Sequence, residues 1–402
     1  MYRESLRDNT MSNFFNAIGV ADMEKIHSAV IGWMLSDKCK ALDPKAKSAL
    51  LCNLFKENIR IFKNIVVQVE VYNIDVLIET EDNQGNKECW VIENKIKSNQ
   101  HSNQLDKYVE IIKGNALTTG KKPITTNYKN IPAHYCFLTL IPESPRGNHA
   151  KKWKNLQYKD FLNFLNNALK NGNNHVDAYL LTEYASCLSE MTSALNDFLK
   201  QPDAYPYVFT DGSKKKTQKN MVAIGKSNGK FASYIAECGL ETIFQKCLLS
   251  HLFNNLSIHA NNKDWRDNLV IEEWHGTAMF GTGLNNWQKI QNTLKMQIEF
   301  QGGSFKVVLI SNNINNYKGN NKADYNKIFK SNNGQWVSSF VDKKGNWTSN
   351  TKSNKPRISL TKPISKDWYY NKATFVNGFN DAIQKAADII NDWCTQTGNP
   401  IP

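Results

Sequence analysis

Apolar positions recur every three or four places through the first sixty residues. Ile26, Val30, Trp33 and Met34 form one stripe and Ala49, Leu50, Leu54 and Phe55 another, so two helices are expected. Asp43-Pro44 offers the second of them a capping carboxylate and a first-turn proline. The pattern then becomes extended over 65–71, 73–80 and 88–95, and Asp82-Asn83-Gln84-Gly85-Asn86 is the hairpin turn between the last two. Over 101–117 helical spacing returns, with Leu105, Tyr108, Ile111 and Ile112 on one stripe. The run 134–141 is apolar like a buried strand and is stopped by Pro142 and Pro145, a short strand surrounds Leu156 with a helix behind it to 169, and 175–199 is a long helix. Helices, three strands, helix, strand, strand, helix, helix describe an α/β layer whose sheet is covered by helices.

A Pro-rich break at 201–206, followed by the basic tract at 211–216, marks a seam. Beyond it an apolar helix over 231–256 is expected, then strands over 268–274, 294–301, 305–310 and 357–360 and a closing helix over 373–393, with hairpin or turn signals at Gly302-Gly303 and Lys343-Lys344-Gly345. This half is α+β and carries no detectable repeat. The expected organisation is a first domain over 1–200, a basic linker over 201–228 and a second domain over 229–402.

A chain of 402 residues suits two such domains. The formal net charge of +13 at pH 7 fits a polyanionic partner such as nucleic acid, and equally fits a surface that is merely soluble. The eight Cys residues form no Cys-x-x-Cys pair and have no His at zinc-finger spacing, so they read as reduced core thiols. No window approaches the ~18 apolar residues of a membrane span and no leader pattern opens the chain, which makes the cytoplasm the default address.

The chemistry concentrates in 73–108. Glu93 and Lys95 share one face of an apolar strand, an expensive placement unless the charges are paired or hold a metal. If the hairpin sets Asp75 on the neighbouring strand, its carboxylate joins Glu93 on that face. Two carboxylates and a carbonyl form a hard oxygen site suited to Mg²⁺ or Mn²⁺ with waters retained, and a nearby Lys can position a water that attacks phosphorus. Gln104 and Tyr108 lie one helical turn apart on the element that follows. The plainer alternative is a surface ion pair between Glu93 and Lys95 on an edge strand, worth little energetically.

Asp75, Glu93-Asn94-Lys95 and Gln104-x-x-x-Tyr108, in this order, resemble the PD-(D/E)xK nuclease superfamily, particularly its RecB-like branch, and Met23 to Ser28 followed by Trp33-Met34-Leu35 is similar to a poorly characterised bacterial subgroup. Ile74 stands where the superfamily's name has Pro, as is usual in that branch. The resemblance covers about the first half of the chain. It implies a restriction-endonuclease-like mixed sheet flanked by helices and metal-dependent cleavage of phosphodiester bonds, expected here in DNA. It also implies a role for each residue. Asp75 and Glu93 ligate the metal with the main-chain carbonyl of Asn94, Glu24 reaches it from the first helix, Lys95 positions the water or stabilises charge, and Gln104 and Tyr108 orient Lys95 or contact the phosphate backbone. For Glu24 the residue-level alternative is a first-turn carboxylate favoured by the helix dipole; His27 reads as a packing residue and Glu79 as a solvated strand end.

Lys97 and the run Lys214-Lys215-Lys216 are the candidate nucleic-acid contacts, the run also reading as a solvated linker. The Trp residues of the second half read mostly as core, and the Gly-rich segment 276–283 lacks the Lys-Ser/Thr of a phosphate loop. Expectations therefore centre on a DNA endonuclease acting in defence or in competition between mobile elements, with the second domain selecting target or partner, including an inhibitor, and a homodimer left open. A non-catalytic nucleic-acid-binding protein and an RNase or nuclease toxin are the alternatives.

Overall fold

A computed structural model describes residues 13–100, 103–114, 128–170, 175–209, 229–256, 270–274, 277–282, 294–311, 346–350 and 357–397. The chain divides into two compact units, Met1–Lys200 with Asn220–Phe244 and Gln201–Lys219 with Gln245–Pro402.

In the first unit the elements are α1 (Phe14–Ala17), α2 (Glu24–Leu35), α3 (Pro44–Leu54), β1 (Asn64–Val71), β2 (Ile74–Glu81), β3 (Lys87–Lys95), α4 (Gln104–Ile112), β4 (Ala133–Thr139), β5 (Trp153–Gln157), α5 (Tyr158–Lys170), α6 (Val176–Lys200) and α7 (Ala232–Glu237). The strands form one mixed sheet in the order β1-β2-β3-β4-β5. β1, β2 and β3 are antiparallel, whereas β3, β4 and β5 run parallel. The expected cap is present, since Asp43 Oδ1 accepts the Ala46 N–H at 2.7 Å. β1 and β2 are joined by Tyr72-Asn73 with both φ values positive, the geometry of a two-residue type I′ turn, so the strand expected from 73 begins at Ile74.

Alternation along the strands sends neighbouring residues to different layers. Leu77, Cys89, Val91, Tyr135 and Phe137 pack with Leu105, Tyr108, Val109 and Ile112 of α4. On the opposite face Trp90 meets Phe55 edge-on at 4.9 Å and Phe62 at 5.7 Å. There α2 crosses β1, β2 and β3, and α5 packs against α3 and α6.

The remaining elements are α8 (Glu241–Leu256), β6 (Val270–Trp274), β7 (Thr277–Thr282), β8 (Leu294–Gln301), β9 (Ser304–Ser311), β10 (Thr348–Asn350), β11 (Arg357–Pro363) and α9 (Lys372–Thr397). Their sheet, β10-β11-β9-β8-β7-β6, is antiparallel throughout. α9 lays Phe375 and Phe379 against Phe305 at ring separations of 5.3 and 6.0 Å.

Three expectations change. The helix expected over 231–256 is two helices, because Gly239 at φ +67 closes the first while the Leu240 N–H returns to the Ile235 carbonyl. The helix expected to 117 ends at Ile112, followed by Gly114 at φ +76, an equivalent stop. Part of the Gly-rich segment is strand β7, paired on both edges. The Gly302-Gly303 hairpin is present, with both φ values positive. Trp347 and Trp368 are buried, while Trp265, Trp287, Trp336, the turn at 343–345 and Lys214-Lys215-Lys216 lie outside the described residues.

Replacing Asp43 with Ala removes the cap bond of α3 and is expected to cost about 1 kcal/mol of stability, measured by urea unfolding followed by circular dichroism.

Candidate active site

The β2–β3 ladder runs to Val76↔Ile92. One step further the same register sets Asp75 opposite Glu93, both on the face of Leu77 and Val91 that packs on α4. Here a side chain replaces the backbone ladder: Asp75 Oδ2 accepts the Asn94 N–H at 2.7 Å. Two residues beyond Glu93, Lys95 returns to the same face and brings its Nζ to 2.6 Å from Glu93 Oε1. Glu93 is 0 % and Lys95 6 % exposed. β3 has β2 on one side and β4 on the other, so the pair is interior to the sheet. That removes the reading of a surface ion pair on an edge strand.

The two carboxylates are uncomfortable as charges. Burial, with Asp75 close by, pushes the Glu93 carboxyl up to about 8. Burial raises Asp75 to about 6, although the Asn94 N–H and Lys95 oppose the shift. For Lys95 burial acts downward, but Glu93, then Glu24 and Asp75, outweigh it and hold the ammonium above its ordinary value. The ammonium therefore stays charged, and proton uptake falls on the carboxylate pair. The Lys95 ammonium, 2.6 Å from Oε1, is the counter-charge of a Glu93 carboxylate that is buried beside a second carboxylate, Asp75. A buried carboxylate left in this state is a natural cation ligand. Among the described residues no group of three or more His, Cys, Asp and Glu side chains is arranged to hold a metal ion. Asp75 and Glu93 are two carboxylates, and hard divalent ions that retain water are often held by one or two. The donor set thus fits such an ion.

Residues 12–186 match the family model of the PD-(D/E)XK nuclease superfamily. Over that stretch the chain is similar to the superfamily. Its mixed five-stranded sheet with flanking helices is consistent with the PD-(D/E)XK fold. No curated protein and no solved structure matches the chain.

Within the PD-(D/E)XK stretch the other candidate residues hold specific places. Glu24 Oε1 accepts three successive amides, Ile96 at 2.9 Å, Lys97 at 3.1 Å and Ser98 at 2.8 Å, while Oε2 accepts the Ser98 hydroxyl at 2.9 Å. Burial raises its pKa, but Lys95 and the Ser98 and Ile96 bonds outweigh that and bring it below the ordinary value. Glu24 thereby ties α2 to the turn leaving β3. Tyr108 donates its hydroxyl to the Asn73 carbonyl and accepts from Gln104 Nε2 at 2.7 Å, so both brace the β1–β2 turn beside Asp75. Its hydroxyl pKa is raised, by burial first and then by the nearby Glu93. Lys97 Nζ pairs with Asp22 at 2.9 Å, and Glu79 pairs with Lys87 at 2.9 Å.

Asn94 faces the other layer. Its Nδ2 donates to the Glu24 carbonyl at 2.9 Å and Ser28 Oγ at 3.1 Å, and its Oδ1 accepts the Tyr158 hydroxyl at 2.7 Å. His27 belongs to the same buried layer. Its Nε2 lies 2.8 Å from the Ala21 carbonyl and must carry the proton, so Nδ1 accepts from the Tyr184 hydroxyl at 2.9 Å. Burial lowers its pKa to about 4, and it is a neutral packing residue. Sequence reasoning missed Ser28, Tyr158 and Tyr184. Tyr158 lies 64 residues from Asn94, with no spacing rule to connect them.

Two outcomes are expected. Replacing Tyr158 with Phe strands the buried Asn94 Oδ1 and costs about 1–3 kcal/mol in urea unfolding. The second concerns pH. A carboxyl raised in the folded state makes stability fall as pH rises from its unfolded value to its folded one, about 4 to 6 for Asp75 and 4.5 to 8 for Glu93. His27, lowered, acts oppositely between about 4 and 6.5. Between pH 6.5 and 8 Glu93 alone of the three still titrates. The thermal midpoint of the metal-free protein should fall across that window, and Glu93→Gln should flatten the slope.

Proposed function

We propose that the protein is a divalent-metal-dependent nuclease that hydrolyses phosphodiester bonds in DNA. The observation that carries this reading is the row Asp75, Glu93 and Lys95 on one sheet face, in which a half-buried and a fully buried carboxylate meet beside an ammonium 2.6 Å from Glu93. The superfamily match over 12–186 supports the same chemistry.

Asp75, Glu93 and the main-chain carbonyl of Asn94 would hold Mg²⁺ or Mn²⁺. When bound, such an ion lowers the pKa of a coordinated water and polarises a phosphoryl oxygen. The chain's own residues supply the rest. Asp75 stays on the site edge because its other oxygen is fastened to the Asn94 amide. Lys95, charged and nearly buried, orients the attacking water and stabilises negative charge developing on phosphate. Gln104 and Tyr108 brace the turn that presents Asp75. Glu24 fixes the start of the loop after β3, near the phosphate path that Lys97 borders. Around this centre a net charge of +13 raises the local concentration of a polyanion.

DNA is favoured as substrate by the resemblance of the motif order to the RecB-like branch, and a role in defence against foreign DNA or in competition between mobile elements follows from that likeness. The second unit is assigned target or partner selection, an inhibitor or a second copy included. A cytoplasmic setting agrees with the eight free cysteines. Among the described residues no helix is long and apolar enough to cross a membrane.

The test is incubation of the full chain with supercoiled plasmid, linear duplex, single strands and RNA, in Mg²⁺, Mn²⁺ or EDTA. Cleavage of DNA is expected only with a divalent ion, and Asp75→Ala and Lys95→Ala should each lower its rate about 10²–10⁴-fold. Undiminished cleavage in EDTA or in either variant overturns the mechanism. Cleavage confined to RNA moves the substrate class, and salt-sensitive DNA binding without cleavage marks a binding protein.

A further inference from the structure

The row that carries Glu93 and Lys95 continues onto β4. The parallel register pairs Lys95 with Thr139 and Glu93 with Phe137. Phe137 and Tyr135 lie in the core with α4, so Thr139, at the same parity, shares the reactive face with Lys95. It is the last residue of β4 and is 1 % exposed. Its Oγ1 is buried and has no hydrogen-bond partner. A hydroxyl buried without a partner costs about 1–3 kcal/mol, and valine would fill the same volume without that cost. The neighbouring Tyr135 and Phe137 on this face are apolar.

We propose that Thr139 is a positioning residue for Lys95: its hydroxyl is the second acceptor for the ammonium. The inference rests on the nuclease reading of the same site. With Glu93 available, Lys95 Nζ sits 2.6 Å from its carboxylate. Once that carboxylate is committed to a divalent cation, the ammonium is repelled from it and needs another acceptor on the same face. Thr139 Oγ1 supplies a neutral one from the adjacent strand. The ammonium stays charged and stays in the row, aimed where the attacking water and the phosphate must lie, and no proton changes hands.

The experiment compares Thr139→Val and Thr139→Ser in the full chain, with linear duplex DNA and Mn²⁺. A hydrogen bond to a charged group corresponds to about a 10- to 100-fold effect, so Thr139→Val should lower kcat by that factor with KM unchanged, and Thr139→Ser should restore it. In a Lys95→Met background, Thr139→Val should add nothing further. A wild-type kcat in Thr139→Val, or equal losses in Val and Ser, overturns the proposal. Unfolding supplies a readout that does not need turnover. In EDTA Thr139→Val should melt at or above the parent, since it loses the unpartnered hydroxyl, and Mn²⁺ should raise its thermal midpoint from that value by less than it raises the parent's. Equal rises overturn the proposal. If the parent cleaves no nucleic acid, the nuclease reading fails by itself and the Mn²⁺ comparison still decides the role of Thr139.

Discussion

Glu93, Lys95 and Asp75 are packed into the interior end of a five-stranded sheet, where isolated charges are costly and pairs barely repay their desolvation. Much of the first unit surrounding them compensates that cost. The Asn94 amide goes to Asp75 in place of a strand partner. The Ile96, Lys97 and Ser98 amides go to Glu24. The Lys95 carbonyl accepts from Leu140, so the strand end remains tied to β4. The backbone at the end of β3 is thus bonded almost continuously, although its side chains carry opposed charges in a dry place. That rigidity suits the hydrolytic role proposed for the site, because positioning is most of what a protein contributes to phosphoryl chemistry.

β3 divides its work by parity. Odd positions, Glu93 and Lys95, face the side over α4. Even positions, Trp90, Ile92 and Asn94, face the packing side with α2, α3 and α5. Asn94 is the exchange point between the two layers. Its amide N–H serves Asp75 on one side while its side chain is held by the Glu24 carbonyl, Ser28 and Tyr158 on the other. A middle residue that counts in a motif only as x is therefore the one that locks β3 to its helical layer. The layer behind it, with His27 neutral and bonded to Tyr184, is polar yet dry, and such satisfied networks specify one packing rather than merely adding stability.

The second unit follows a simpler rule. Its antiparallel sheet sends Phe300, Phe305, Val307 and Leu309 into the core, where Phe375 and Phe379 of α9 join them. Glu299, buried in the same sheet, is paired with Arg357 at 2.8 Å and accepts from Gln297 at 2.6 Å. The charge that singles this chain out as basic is not gathered at that pair.

The amino-acid sequence by itself determined the order of helices and strands in the first unit, the cap of α3, the hairpins, and the sharing of one sheet face by Asp75, Glu93 and Lys95. These depend on local periodicity and on turn chemistry, which neighbouring residues carry. It also contained the glycines that end α4 and split the helix expected over 231–256, but an apolar stripe running past them masked the stop. The tertiary structure alone decided which charges are dry, that Glu24 and Tyr108 brace loops, and that Tyr158 and Thr139 stand beside the motif. Those facts depend on elements 35 or more residues apart in the chain meeting in space, and no local pattern records the distance between them.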